Sequence, residues 1–238
     1  MIHKIAIGNI VADVVLKDIK NIHLSVFPPS GKVRISAPSR MDLETIRIFA
    51  ISKLSWIKKQ QTKILLQERE SQRDFTSRES HYFLGKRYLL QVIVSDSKPT
   101  VTIKHTSILL MVRPGSNVEQ KQVVLQEWYR EQLKPIVSKL IEKWSPVLNV
   151  QVKAFGIKRM KTKWGTCNHD EQRIWLNLEL AKKPLECIEY IVVHEMVHLL
   201  ERNHSANFIT YMDKFIPQWQ YIKSELNRLP LSHAEWKY

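Results

Sequence analysis

The chain has 238 residues, 44% of them apolar and 9% aromatic, with seven Trp, six Gly and two Cys. That composition describes a folded protein with one large or two small cores, and it excludes collagen-like, low-complexity and disulfide-scaffold classes. The formal net charge is +14 and uneven: 19 Lys and Arg stand against 9 Asp and Glu up to Asn117, and 18 against 14 after it.

In chain order, the first third reads as β. Val11 to Leu16, Ile22 to Phe27 and Val33 to Ala37 are short runs rich in β-branched residues, and Pro28-Pro29-Ser30-Gly31 is a turn between the second and third. Asp42 then opens one helix as its N-cap, with Ile46, Phe49, Ala50, Leu54, Ile57 and Ile64 along one stripe. Its continuation, Lys58 to Arg78, is polar and reads as a solvated helix end and a loop.

A second β group lies at Tyr82 to Leu84, Tyr88 to Val94, Thr100 to Lys104 and Ile108 to Val112. Pro114-Gly115-Ser116 breaks the pattern, so the expected domains are residues 1–115, β-rich with one long helix, and residues 116–238. Val118 to Trp144 is a long amphipathic helix in which Pro135 predicts a kink or two abutting helices. A strand at Val150 to Phe155, a basic turn at Lys158 to Lys163, the run Trp164-Gly165-Thr166-Cys167 and a strand at Arg173 to Leu178 make a β-ribbon. A further helix begins at Pro184, and two more, Ala206 to Phe215 and Trp219 to Leu229, finish an α+β chain. No internal repeat is apparent in the residues.

The helix after Pro184 carries the chemistry. Residues four apart on a helix lie about 40° apart around the axis, so His194 and His198 face one way and can grip one ion. Glu195 is then free to take a proton from water beside that ion, the logic of H-E-x-x-H zinc peptidases. Ile191, Val192, Val193, Met196 and Val197 bury this helix on most sides, which argues against plain surface histidines. A third ligand, His204, lies about 240° further round than His198 if the helix continues, so the helix must stop; Asn203 is the expected place. Ser205 reads as the N-cap of the next helix.

Glu201 lies seven residues after His194 on nearly the same face. Its carboxylate either accepts a hydrogen bond from the outer nitrogen of a ligand His or stands in solvent at a helix end. Tyr211 and Tyr221 are candidates to stabilise an oxyanion, each set against a packing role. Cys167 and Cys187 are expected as buried thiols, although Cys167 would also suit a metal in an inhibited state.

These residues identify a family. HEMVHLLERNH, preceded by KWGTC and a strand and followed by SANF and FIPQW, resembles the YgjP-like metallopeptidases, relatives of the SprT-like zinc proteases. VRISAPSRMDLETIRIFAISKLSWIKKQ and HYFLGKRYLLQV are similar to the same family. The resemblance implies a zincin-like metallopeptidase minidomain at the C-terminus, preceded by a β-rich N-terminal domain. It also implies one Zn2+ per chain held by His194, His198 and His204, Glu195 as base, and Trp164, Gly165 and Thr166 beside the substrate. The ligand spacing equals that of metzincins, but Glu201 stands where those have Gly, so Met212 is expected to pack rather than form a Met-turn.

The expected function is hydrolysis of peptide bonds in cytoplasmic proteins by a water that Glu195 activates. SprT-type relatives are associated with proteins bound to DNA, and the basic N-terminal half is compatible with DNA as a partner. Its alternative is a soluble protein with an ordinary basic surface. A DNA-binding module with a structural zinc site is the rival reading, and a hydrolase of another amide bond is a third. No apolar run is long enough to span a bilayer, the start MIHKIAIGNI lacks the layout of a secretion signal, and two Cys suit a reducing compartment. Those features predict a cytoplasmic protein without a membrane partner.

Overall fold

The computed structural model describes residues 2–27, 30–66, 73–160 and 163–228, which form a mixed α+β fold. They fall into two compact units, Met1–Glu70 and Ser71–His233.

In the first unit, β1 (Ile2–Ile7), β2 (Ile10–Lys17), β3 (His23–Phe27) and β4 (Lys32–Pro38) make a sheet in the order β1-β2-β4-β3. Alternation puts Ile7, Ala12, Val14, Val33 and Ile35 on one buried face, where Ile46, Ala50 and Ile57 cover them. These last three sit on α1 (Leu43–Ser52) and α2 (Leu54–Leu66). Asp42 caps α1 as expected, its carboxylate accepting from the Thr45 N–H at 2.8 Å. The single helix expected here is two, because the chain closes at Lys53, whose N–H donates back to Ala50 and Ile51 carbonyls. β1 was not foreseen: only Ile5 and Ile7 mark its buried side.

The second unit opens with β5 (Ser80–Phe83), β6 (Lys86–Val94), β7 (Thr100–Lys104) and β8 (Ser107–Val112), in the order β5-β6-β8-β7. Its pairings run antiparallel, parallel, antiparallel, as do those of the first sheet. Both opening hairpins turn on a glycine with positive φ, Gly8 at 61° and Gly85 at 77°. The chain therefore repeats a four-strand topology that its residues conceal.

The long helix α3 (Val118–Leu148) comes next, capped by Asn117 and Gln120 reciprocally. It continues through Pro135 as one helix, so of the kink or two abutting helices expected there the second is excluded. β9 (Ala154–Lys158), β10 (Gly165–Asn168) and β11 (Arg173–Asn177) form a three-stranded sheet in the order β10-β11-β9. β9 starts later than Val150 because that residue's N–H caps α3 through the Ser145 carbonyl. A 3-10 turn, Leu178–Lys182, leads into α4 (Leu185–Val197), with Pro184 as its N-cap rather than its first residue. α5 (Ala206–Phe215) and α6 (Trp219–Arg228) complete the described chain.

The division falls at residue 70, ahead of the expected 115. The second sheet belongs with α3 and α4 because Leu90, Ile108 and Leu110 share one core with Leu133, Val192 and Met196. The Tyr129 hydroxyl on α3 also donates to the Tyr82 carbonyl at 2.8 Å. Among the described residues no helix is long and apolar enough to cross a membrane.

Candidate metal centre and its cleft

α4 is buried nearly all round, from Cys187 to Val197. Its place against α3 is fixed by Glu189, whose carboxylate accepts from Lys143 Nζ at 2.7 Å and Trp144 Nε1 at 2.8 Å. The last turn carries His194 and Glu195, and the helix ends at Val197 with His198 as its cap, five residues before the expected stop at Asn203. Tight turns do this: Leu199 donates to the Met196 carbonyl, and Leu200 and Glu201 both donate to the Val197 carbonyl. Ser205 then caps α5, accepting from the Phe208 N–H.

That corner brings three imidazoles together. One nitrogen from each of His194, His198 and His204 lies within 4.8 Å of the others, and the Nε2 atoms of His194 and His204 are 3.1 Å apart. Two metal bonds of about 2.0 Å at a tetrahedral angle need about 3.3 Å between their nitrogens, so the spacing fits a zinc-sized cation. The donor set fits as well. His198 Nδ1 donates to the Glu201 carbonyl at 3.0 Å, which leaves the other nitrogen of that ring with its lone pair. Burial, with His198 and His204 nearby, pushes the His194 pKa down to about 3, and burial beside His198 lowers that of His204. Neutral rings are what a cation requires. Under all three lies Phe208, 1% exposed, with ring centroids 4.7–4.9 Å from theirs. It supports the cluster from below, a role that the sequence reading did not assign to it.

Glu195 is 5% exposed, and burial pushes its carboxyl up to about 8 against a smaller opposing pull from Lys163. Over it runs Gly165: a Cβ there would stand 2.6 Å from Glu195 Oε1. Gly165 and Cys167 share the face of β10 that pairs with Leu176 and Ile174, whereas Thr166 pairs with Trp175 on the opposite face. The Thr166 side chain thus turns away from α4, although the residue borders the cleft. Burial, then the nearby Glu195, pushes the Cys167 thiol up to about 11, and this residue is not one of the three cation donors.

The histidines and Glu195 line a cleft of about 820 Å3, walled by Trp164 and Gly165 on one side and by Lys223 and Leu226 of α6 on another. Tyr211 is absent from it, stacked on Phe215 at 6.2 Å, and Tyr221 is 65% exposed elsewhere. The tyrosine of the cleft is Tyr190, one turn before His194 and packed between the His194 and Trp219 rings. Its hydroxyl has no partner among the described residues, yet it is not one of the buried orphan atoms, so it opens on the cleft. Burial, then Glu195, pushes its pKa up to about 12, which keeps the proton on. In the sequence it reads as one more apolar position of α4, and nothing in its spacing marks it out. The hydrogen bond considered for the Glu201 side chain comes from its main chain instead, while Glu201 Oε1 accepts from the Asn203 N–H at 3.1 Å.

Among known proteins, the family described as YgjP-like, metallopeptidase domain, matches residues 20–229. The metallopeptidase zymogen abylysin of Pyrococcus abyssi is similar at 23% identity, over 38% of this chain and 90% of its own, with a TM-score of 0.36. The zymogen jannalysin of Methanocaldococcus jannaschii is similar at 22% identity, over 39% of this chain and 91% of its own, with a TM-score of 0.33. No curated protein matches the chain.

Proposed function

The chain belongs to the YgjP-like metallopeptidase family, and from that premise we propose that it is a zinc-dependent peptidase in which Glu195 activates the attacking water. The observation that carries this reading is the convergence of His194, His198 and His204 beside a buried carboxyl on the floor of an open cleft. In this reading a zincin-like minidomain lies in the C-terminal part of the second unit, and the first unit, Met1–Glu70, is an accessory.

A zinc ion on the three imidazoles supplies polarisation of the scissile carbonyl and a water acidic enough to attack at neutral pH. The chain does the rest. Glu195 takes the proton of the attacking water and returns it to the departing amine. The Tyr190 hydroxyl donates to the carbonyl oxygen as charge develops there.

Substrate is held as an added strand. The Asn177 N–H donates to the Trp164 carbonyl at 2.8 Å, so the alternation of an antiparallel ladder leaves the peptide groups of Gly165 and Cys167 pointing off the free edge of β10. An extended peptide pairing there lies across Glu195. The substrates are proteins or peptides of the cytoplasm, including proteins associated with DNA that the net charge of +14 would attract.

The experiment is digestion of an unfolded protein by zinc-loaded chain, with and without single-stranded DNA, beside Glu195→Gln. Turnover in the parent and zinc retention without turnover in the variant are expected. Equal behaviour of the two would favour a structural zinc in a DNA-binding module, a reading that the open cleft over the histidines argues against.

A further inference from the structure

Lys163 and Lys223 approach the reacting centre from two walls of the cleft, the first just before β10 and the second on α6. Neither makes a salt bridge with an acidic side chain among the described residues. Other lysines of the same unit do: Lys134 with Glu131 at 2.6 Å, Lys143 with Glu189 and Lys182 with Glu179, both at 2.7 Å. The third cation of the cleft, Arg202, is engaged by Asp170 at 2.6 Å. That leaves Glu195 as the remaining acid of the cleft, one carboxyl against two lysines. Lys223 is also held in place. Its Nζ lies 5.4 Å from the Trp219 ring centroid, Trp219 is stacked at 6.5 Å on Tyr190, and Trp219 Nε1 donates to Asp213 at 2.7 Å. Both lysines line the same cleft as Glu195 and the three histidines.

We propose that Lys163 and Lys223 form an anion subsite that selects peptides with Asp or Glu beside the bond to be cut. Two unpaired ammonium groups facing one cleft repel a basic side chain and attract a carboxylate, and a bound cation would add to the same field. The inference rests on the peptidase reading for what occupies the cleft, and the lysines set which peptide is preferred.

The test is binding to the zinc-free full-length chain, read by fluorescence anisotropy of three labelled peptides that differ only in Glu, Gln or Lys at the residues flanking the centre. The Glu peptide is expected to bind about ten-fold tighter than the Gln peptide, with the Lys peptide weakest. That advantage should shrink as salt is raised from about 0.05 to about 0.3 M, and K163Q/K223Q should abolish it. The thermal melt of that double variant reports its folding. Equal binding of Glu and Gln peptides, or an advantage that survives the double substitution, overturns the proposal. So does inorganic phosphate displacing the Glu peptide at concentrations where acetate does not, which would mark a phosphate site. Failure of the peptidase reading shows separately, as intact selectivity in binding with no turnover after zinc loading.

Discussion

Gly165 and Glu195 are locked together by the absence of a side chain. A Cβ on residue 165 would meet Oε1 of Glu195 at 2.6 Å and its Cδ at 2.8 Å, below the closest approach real Cβ atoms make. Gly165→Ala must therefore displace either the strand or the carboxyl. We expect kcat/KM to fall by about 100-fold, the usual cost of misplacing a reacting group by about 1 Å, with zinc content unchanged because no histidine is touched. Full activity in this variant would show that the carboxyl has room to spare and does not need its present position.

His204 is the most exposed of the three imidazoles and stands on a loop, so its contribution is the easiest to isolate. His204→Ala should weaken zinc binding by more than the roughly 10- to 100-fold that loss of an outer hydrogen-bond partner brings. Competition with a chromophoric chelator measures it. An unchanged affinity would mean that another group completes the donor set.

Tyr190→Phe deletes one hydroxyl and nothing else from a packed ring. If that hydroxyl meets the developing oxyanion, kcat falls by about 100-fold with little change in KM. Tyr211→Phe and Tyr221→Phe should stay within a factor of about two, since one ring is stacked on Phe215 and the other stands in solvent. The opposite ranking would return the role to Tyr211.

His81 gives a prediction about stability rather than turnover. It is 4% exposed, its Nε2 has no hydrogen-bond partner, and burial, then Arg73 and Lys182, pushes its pKa down to about 3. The Glu79 carboxylate, 3.7 Å away, forms an ion pair only with a protonated ring, and at 3.3 Å it already engages Arg73. The folded chain thus resists a proton that the unfolded chain accepts near pH 6.5. The stability held by a neutral His81 is complete above about pH 6.5 and is lost as pH falls toward 3. Urea titrations of the zinc-free chain should show this slope, worth a few kcal/mol at most, and His81→Phe should flatten it. An equal slope in the variant would assign the loss to other groups.

The local patterns were legible where one physical signal acted alone. Asp42 and Ser205 cap helices because a short side-chain oxygen before an apolar stripe has few other uses. His194 and His198 were legible from helical spacing, and His204 from the need for the helix to stop. The place of that stop was not, because turns through Met196 and Val197 carbonyls ended α4 before Asn203 was reached. Tyr190 and Phe208 were hidden for a different reason. Both look like core residues and are core residues, and only the assembled cleft gives one a hydroxyl facing solvent and the other three rings to hold. The boundary between the units was hidden because Leu90 and Ile108 read as any strand would until α3 and α4 cover them.

The twofold use of one strand order bears on how the polypeptide reaches its native state. Two sheets of matching polarity offer each other plausible but incorrect neighbours, so an edge ribbon of one has a ready template in the other and strand exchange is a standing hazard. Vectorial synthesis reduces it: the first sheet can close before the second leaves the ribosome, whereas dilution from denaturant releases both at once. Refolding in vitro should therefore lose more material to aggregates than emergence from the ribosome does, and the two units synthesised as separate fragments should each refold with higher yield than the intact chain.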